Sequence, residues 1–413
     1  MNPDFGDIPI IDTHEHLAKV YHWRPEVVGL LHFVLENHYL MAGVAAGDSK
    51  CAGRDWMDEG ATPYWALTKA EGVVPAADEE AGMAYIIERL PTVALTSDWK
   101  AFEITLRELY GLDGFLVTRE NWRALDTQVR RRYKARDQWY REVLARAGIR
   151  LVFWCYGKPL LDGCRGVLNA MDFLHQAKGD TRDSEALAAR FEAWLDGEIA
   201  SYNPVSMKIG FAYYRDVAVA RRPHREVDAA LRALSPEKAL TESRTVDDFV
   251  HELAARVAPA RGLALQVHTG TLAGNVFEQP LLETYAARLE PFIARHPDAN
   301  FDVFHGSFPQ WGEAVTLARK YPNVYLNMCW VTGLSESMAE AMLTAAFDAV
   351  PVNKIMWGGD AHSPEMAYGL AALFRDILGR ALARRGLSAK LKRDAAEWVL
   401  WRSAATLYRL PAP

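Results

Sequence analysis

Residues 8–19 read IPIIDTHEHLAK. Ile8, Pro9, Ile10 and Ile11 form the apolar run of a short buried strand, and Asp12, Thr13, His14, Glu15 and His16 follow at once. Side chains at i and i+2 of a strand share a face, with Cα atoms about 6.5 Å apart. His14 and His16 therefore project together, and two imidazoles so spaced can converge on one cation. Glu15 points the other way and Leu17 packs behind. A pair of surface histidines at a strand end would look the same, so the H-x-H does not decide by itself.

Further along, other apolar runs also end in groups that can do chemistry. VSMKIGF carries Lys208, ALQVHTG carries His268, and DVFHGS carries His305. MWGGDAHSPE carries Asp360, with His362 and Glu365 just beyond. One histidine at a strand end is usually structural, but four histidines, a lysine and an aspartate at the same end of successive strands form a set. Imidazole and carboxylate donors suit Zn²⁺, Mn²⁺ or Fe²⁺, whereas Ca²⁺ and Mg²⁺ prefer all-oxygen shells. Zinc leads that list. A catalytic site of this type keeps a position open for water, and a carboxylate beside that water can take its proton. Asp360 follows Gly358 and Gly359, which let the backbone approach a ligand closely. It is the candidate for both ligand and general base, with His305 as the other catalytic candidate.

These groups need a scaffold that brings strand ends together. Apolar runs occur at 8–12, 148–157, 166–174, 204–214, 263–270, 300–307, 323–331 and 354–363. Helical patterns at 186–200, 247–259, 280–297, 310–321 and 336–349 lie between them. Such alternation argues a parallel sheet covered by helices, and eight units predict an α/β fold of the (β/α)₈ TIM-barrel type. The stretch 20–147 is too long for a minimal barrel; it carries helical patterning and Trp23, Trp56, Trp65, Trp99 and Trp122. It reads as a helical insertion after the first strand, a cap beside the barrel mouth, with a separate wedged-in domain as the alternative. Residues 45–63 and 71–82 look loop-like, and 396–410 reads as a closing helix. The whole of 1–413 is then a single barrel with its insertion.

Composition narrows the partners. A net charge of −6 leaves no basic footprint for nucleic acid. No apolar run is long enough to span a membrane, and a signal-peptide pattern is absent at the N-terminus. Cys51, Cys155, Cys164 and Cys329 are scattered without a C-x-x-C pair, as expected for reduced thiols in a cytoplasm. A small-molecule substrate is the expected partner, and self-association stays open.

The order H-x-H, Lys, His, His, Asp resembles the amidohydrolase superfamily. QVHTG, FHGSFPQWGEAVTLARKYPNVYLNMCWV and IMWGGDAHSPE resemble its amidohydrolase-related branch, which includes uronate isomerase-like, decarboxylase-like and FluG-type domains. SMKIGFAYYRD is similar to the lysine-plus-arginine stretch of the FluG-type members. The resemblance covers 8–17 and about 200–370 and does not reach 20–147. It implies that His14, His16, His268 and Asp360 contact metal. His305 then either polarises substrate or bound water in a one-metal site or holds a second ion. Lys208 either bridges two ions as a carboxylated lysine or, as a plain cation, binds a substrate carboxylate together with Arg215. Arg215 reads equally as a surface salt bridge, and His362 as a residue lining the pocket.

The expected activity is hydrolysis of an amide, ester or lactone bond by a metal-activated water. Decarboxylase and uronate isomerase-like chemistry are alternatives on the same ligands, and an inactive barrel serving as a binding module is a third. His22, His32 and His38 lack metal spacing, and His175, His224, His251 and His296 read as solvent-facing.

Overall fold

The apolar runs form eight parallel strands in sequential order. They are β1 (Ile10–Glu15), β2 (Ile149–Trp154), β3 (Cys164–Asn169) and β4 (Ser206–Ile209). β5 (Ala264–His268), β6 (Phe301–Phe304), β7 (Val324–Asn327) and β8 (Ile355–Met356) follow. Thr13 N donates to Trp357 O (3.4 Å) and Asp360 N to His14 O (2.9 Å), joining the last strand to the first. The result is the (β/α)₈ barrel. The computed structural model describes residues 5–17, 21, 25, 28–37, 40–41, 43–44, 76–155, 157–178, 181–272 and 279–413.

Two apolar layers hold it. Ile11, Phe153, Val167, Val205, Ala264 and Met356 fill the barrel interior together with Ala404, Leu407 and Tyr408 from the C-terminal segment. That segment is the closing helix expected over 396–410, continuous through a π turn but starting earlier and ending at Leu407. It runs as Ala389–Glu397, a wider π turn at Trp398–Arg402, and Ser403–Leu407. Tyr408 then reaches into the barrel floor, where Gln266 Nε2 donates to its hydroxyl at 3.0 Å.

Local chemistry explains where element boundaries depart from the apolar pattern. The third strand stops at Asn169 rather than running through 166–174, because the Asn169 side chain accepts from Met171 N (3.1 Å) and caps a helix at Ala170–Gln176. The helix expected over 280–297 is instead two short 3₁₀ turns followed by Glu290–Arg295. Pro291 can enter a helix only in its first turn, so it sets that late start. Residues 76–82, expected in a loop, open the helix Ala76–Val93, and all of 45–75 lies outside the described residues.

The described part of the insertion includes α1 (Ser97–Tyr110), α2 (Trp122–Tyr133) and α3 (Arg136–Arg146). α1 and α3 pack along α4 (Pro364–Ala383), the helix that follows β8. Gly369 permits the crossing, since a Cβ there would stand 2.0 Å from Ala101 O. Trp99, Phe102 and Leu106 are fully buried in the apolar cluster that also covers the barrel. All three helices converge on Glu365, in the first turn of α4. Its carboxylate accepts from Tyr110 Oη (2.7 Å), Trp139 Nε1 (2.8 Å) and Tyr133 Oη (3.2 Å). Trp23, Trp56 and Trp65 lie outside the described residues.

One residue of α1 works against the fold. Asp98 is half-buried, its Oδ1 is shut off from solvent without a hydrogen-bond partner, and desolvation pushes its carboxyl up to about 8. An unfolded aspartate ionises near 3.9. Between those values the folded state keeps a proton that the unfolded chain has released, so stability falls as pH rises across that window. Asp98→Asn removes the titrating group. Its melting temperature should match that of the wild type near pH 4 and exceed it by about 2–6 °C near pH 8, as thermal melts across pH would show.

Candidate metal centre

The C-terminal ends of β1, β4, β5, β6 and β8 bring together most of the groups singled out in the sequence. His14 lies fully buried in β1, one residue before its end, and His16 follows two residues on with its ring edge-on to it at 4.9 Å. Asp360 Oδ1 lies 3.3 Å from His14 Nε2 and 3.0 Å from His16 Nε2. Ligand atoms bound at about 2.0–2.2 Å around a tetrahedral ion stand roughly 3.3–3.6 Å apart. Each imidazole nitrogen therefore stands from the carboxylate oxygen at close to the spacing of two ligands of one cation. Lys208 Nζ reaches the same point, 2.9 Å from His14 Nε2.

His268 and His305 form a second convergence. His268 Nε2 is 3.0 Å from Thr271 O, and His305 Nδ1 is 3.1 Å from Cys329 O. A carbonyl can only accept, so those ring nitrogens carry the protons. The lone pairs left, on His268 Nδ1 and His305 Nε2, face each other at 3.1 Å. Two lone pairs at that distance repel unless a cation or a proton lies between them. Burial keeps a proton away: it is the main cause pushing His268 down to about 3 and His14 and His305 well below the ordinary imidazole range, with Lys208 adding to it. All three rings are neutral at pH 7, the form that binds metal. The donor set fits a divalent cation of the zinc class.

Backbone strain gathers at the same place. Of the six non-glycine residues with positive φ among the described residues, His305 (60°), Ser307 (59°), Trp330 (64°) and Asp360 (61°) follow β6, β7 and β8. Left-handed backbone costs an L-residue roughly 1–2 kcal/mol and persists where the surroundings impose it, often at functional sites. Around the histidines stand Tyr213, 4.7 Å from the His268 ring, Trp330, 5.5 Å from His305, and His362, 5.5 Å from His16.

Arg215 is placed differently. Its Nη1 is 2.8 Å from Asp248 Oδ1 and 3.4 Å from Asp247, while Nε and Nη2 donate to Asp216 O (3.1 Å) and Ala218 O (2.6 Å). Every guanidinium nitrogen is bonded within the protein, so the salt-bridge alternative describes it, although the bridge is buried and not on the surface. His251 is also corrected: it is buried, with Nδ1 2.6 Å from Asp247, and does not face solvent. His175 and His224 are exposed as expected, and His296 pairs with Glu252 at 2.9 Å. His32 is buried in a helix, and His22 and His38 lie outside the described residues.

The sequence pattern also passed over residues that the site contains. Cys155, just after β2, sets its Sγ 3.1–3.3 Å from the His14 ring nitrogens, and Cys329 groups with His305 and Asp360. Burial pushes Cys155 up to about 12 and Cys329 well above the ordinary thiol range, which makes both thiols. The usable signal was their place at the ends of the runs LVFWC and YLNMC. Asp12 and Glu15 are buried as well, and burial raises both above the ordinary carboxylate range.

A family model described as amidohydrolase matches residues 173–410, more than half of the chain, and the chain belongs to that family. The match includes Lys208, His268, His305 and Asp360 but starts beyond His14 and His16. Protein fluG of Emericella nidulans is 27% identical over 244 residues, covering 55% of this chain and 28% of fluG. The chain thus spans little more than a quarter of that relative's length. A uronate isomerase of Thermotoga maritima superposes with a TM-score of 0.71 at 12% identity, covering 98% of this chain and 95% of its own. A Lactobacillus casei protein assigned as a metal-dependent hydrolase gives 0.68 at 16% identity, covering 99% and 98%. At these identities the likeness shows a shared fold.

Proposed function

We propose that the protein is a metal-dependent hydrolase that cleaves an amide, ester or lactone bond in a small, carboxylate-bearing substrate. The observation that carries this reading is the pair of facing lone pairs on His268 and His305 beside the His14, His16 and Asp360 triangle. His14, His16 and Asp360 would hold one ion, with His268 and His305 available to a second. Imidazole and carboxylate donors favour zinc, with manganese or iron next. When bound, the ion supplies Lewis acidity toward a carbonyl and toward water. Asp360 takes the proton of the attacking water and passes it to the leaving group. The Lys208 ammonium, beside His14, fixes the substrate carboxylate, and His362 and Tyr213 form the wall. No helix among the described residues is long and apolar enough to cross a membrane, which suits the cytoplasmic location we propose.

The uronate isomerase fold makes isomerisation the second reading. The test is a panel of N-acyl amino acids, lactones, uronates and aromatic acids, assayed with protein loaded with zinc, manganese or iron. Turnover of an amide, ester or lactone is the expected result. Ketose formation from a uronate, or release of CO₂ from an aromatic acid, would replace hydrolysis with isomerase or decarboxylase activity.

A further inference from the structure

Asp360 needs more than its own strand to stay where it is. β8 is two residues long, and Asp360 follows two glycines with φ of 61°. Nothing local would hold a flexible, strained segment of that kind in one conformation. β1 does so at three successive amides. Gly359 N donates to Asp12 Oδ1 at 3.0 Å, Asp360 N to His14 O at 2.9 Å, and Ala361 N to Glu15 Oε2 at 2.5 Å. His16 N returns a bond to Ala361 O at 2.8 Å. The fit around Gly359 is tight: a Cβ there would stand 2.1 Å from Glu15 Oε1 and 3.3 Å from Asp12 Oδ2. Both carboxyl groups are completely buried.

We propose that Asp12 and Glu15 are positioning residues of the metal centre. They clamp the backbone on either side of Asp360, hold it left-handed, and so keep its carboxylate against His14 and His16. The same six residues of β1 then deliver both a ligand histidine and the two acids that clamp the opposite ligand. Burying two acidic groups is costly unless they are well bonded, and apolar residues would pack a purely structural position at lower cost. The observed amide bonds give the acids a task that apolar residues cannot perform. This inference rests on the metal-centre reading above.

The test compares zinc affinity, by chelator competition on the full-length protein, with melting of the metal-free form. Glu15→Leu removes the acceptor of Ala361 N and should weaken zinc binding by about 10–100-fold, the usual effect of losing a group that orients a ligand. Glu15→Gln keeps an acceptor oxygen and should stay within about threefold of the wild type. Gly359→Ala leaves both acids intact but drives a methyl into Glu15, and should weaken zinc as Glu15→Leu does. If Glu15→Leu does not fold, Gly359→Ala and Glu15→Gln decide. Variants that melt lower yet bind zinc like the wild type would make the acids merely structural and overturn the proposal. A wild type that binds no zinc would overturn the metal-centre reading itself, and the clamp with it.

Discussion

Asp360→Asn should lower kcat by roughly 10²–10⁴ while metal binding weakens only modestly, because the substitution removes a proton acceptor and keeps a ligand oxygen. Asparagine is nearly isosteric with aspartate, and it is among the side chains that best tolerate the left-handed backbone found at this position (φ 61°). The amide bonds of Gly359 and Ala361 to Asp12 and Glu15 involve other residues and should survive. Lost turnover would then report on chemistry, not on a collapsed loop. Metal content measured on the same preparation separates the two effects. If the variant retains near-normal kcat on the true substrate, Asp360 is a ligand alone and the base must be sought at His305.

The second large effect concerns metal. Elemental analysis of the purified protein should find about one or two equivalents of a transition metal, zinc foremost. His16→Ala removes a ligand whose side chain is 13% exposed, so the fold should tolerate it while the first ion falls to below about a tenth of an equivalent. Two equivalents, with one lost in Lys208→Ala, would support a carboxylated lysine joining both ions; one equivalent would leave Lys208 as a plain cation. Protein that cannot be loaded at all would remove the metal reading. The metal-free form should also be acid-sensitive. His268 takes a proton only near about 3 when folded, against about 6.5 when unfolded, so stability falls as pH drops through that interval.

The barrel could be read from the chain because buried parallel strands are short, nearly continuous apolar runs. His14, His268, His305 and Asp360 were legible for a related reason: each terminates such a run, and in this architecture one end of every strand faces the site. The errors came where partners lie far away in sequence or where one residue redirects the backbone. Asn169 ends β3 by capping a helix, a choice that periodicity does not reveal. Arg215 carries the same charge whether it meets a substrate or Asp248, and only the fold puts Asp248 2.8 Å away. Likewise Cys155 touches His14 across 141 positions, and Glu15 meets an amide 346 positions on. Those pairings are products of closing the barrel.

Glu365 ties the insertion to the loop that bears Asp360, and this bears on how such a protein can diversify. Its carboxylate is completed by Tyr110, Tyr133 and Trp139, one from each of three separate helices. A lineage that exchanged this insertion for another would strand a buried carboxyl group five residues from Asp360, and replacing Glu365 first would take away the acceptor that Tyr110, Tyr133 and Trp139 share. Neither intermediate is neutral, so insertion and loop should be inherited as one block. Among homologues, positions 110, 133, 139 and 365 should change together or not at all.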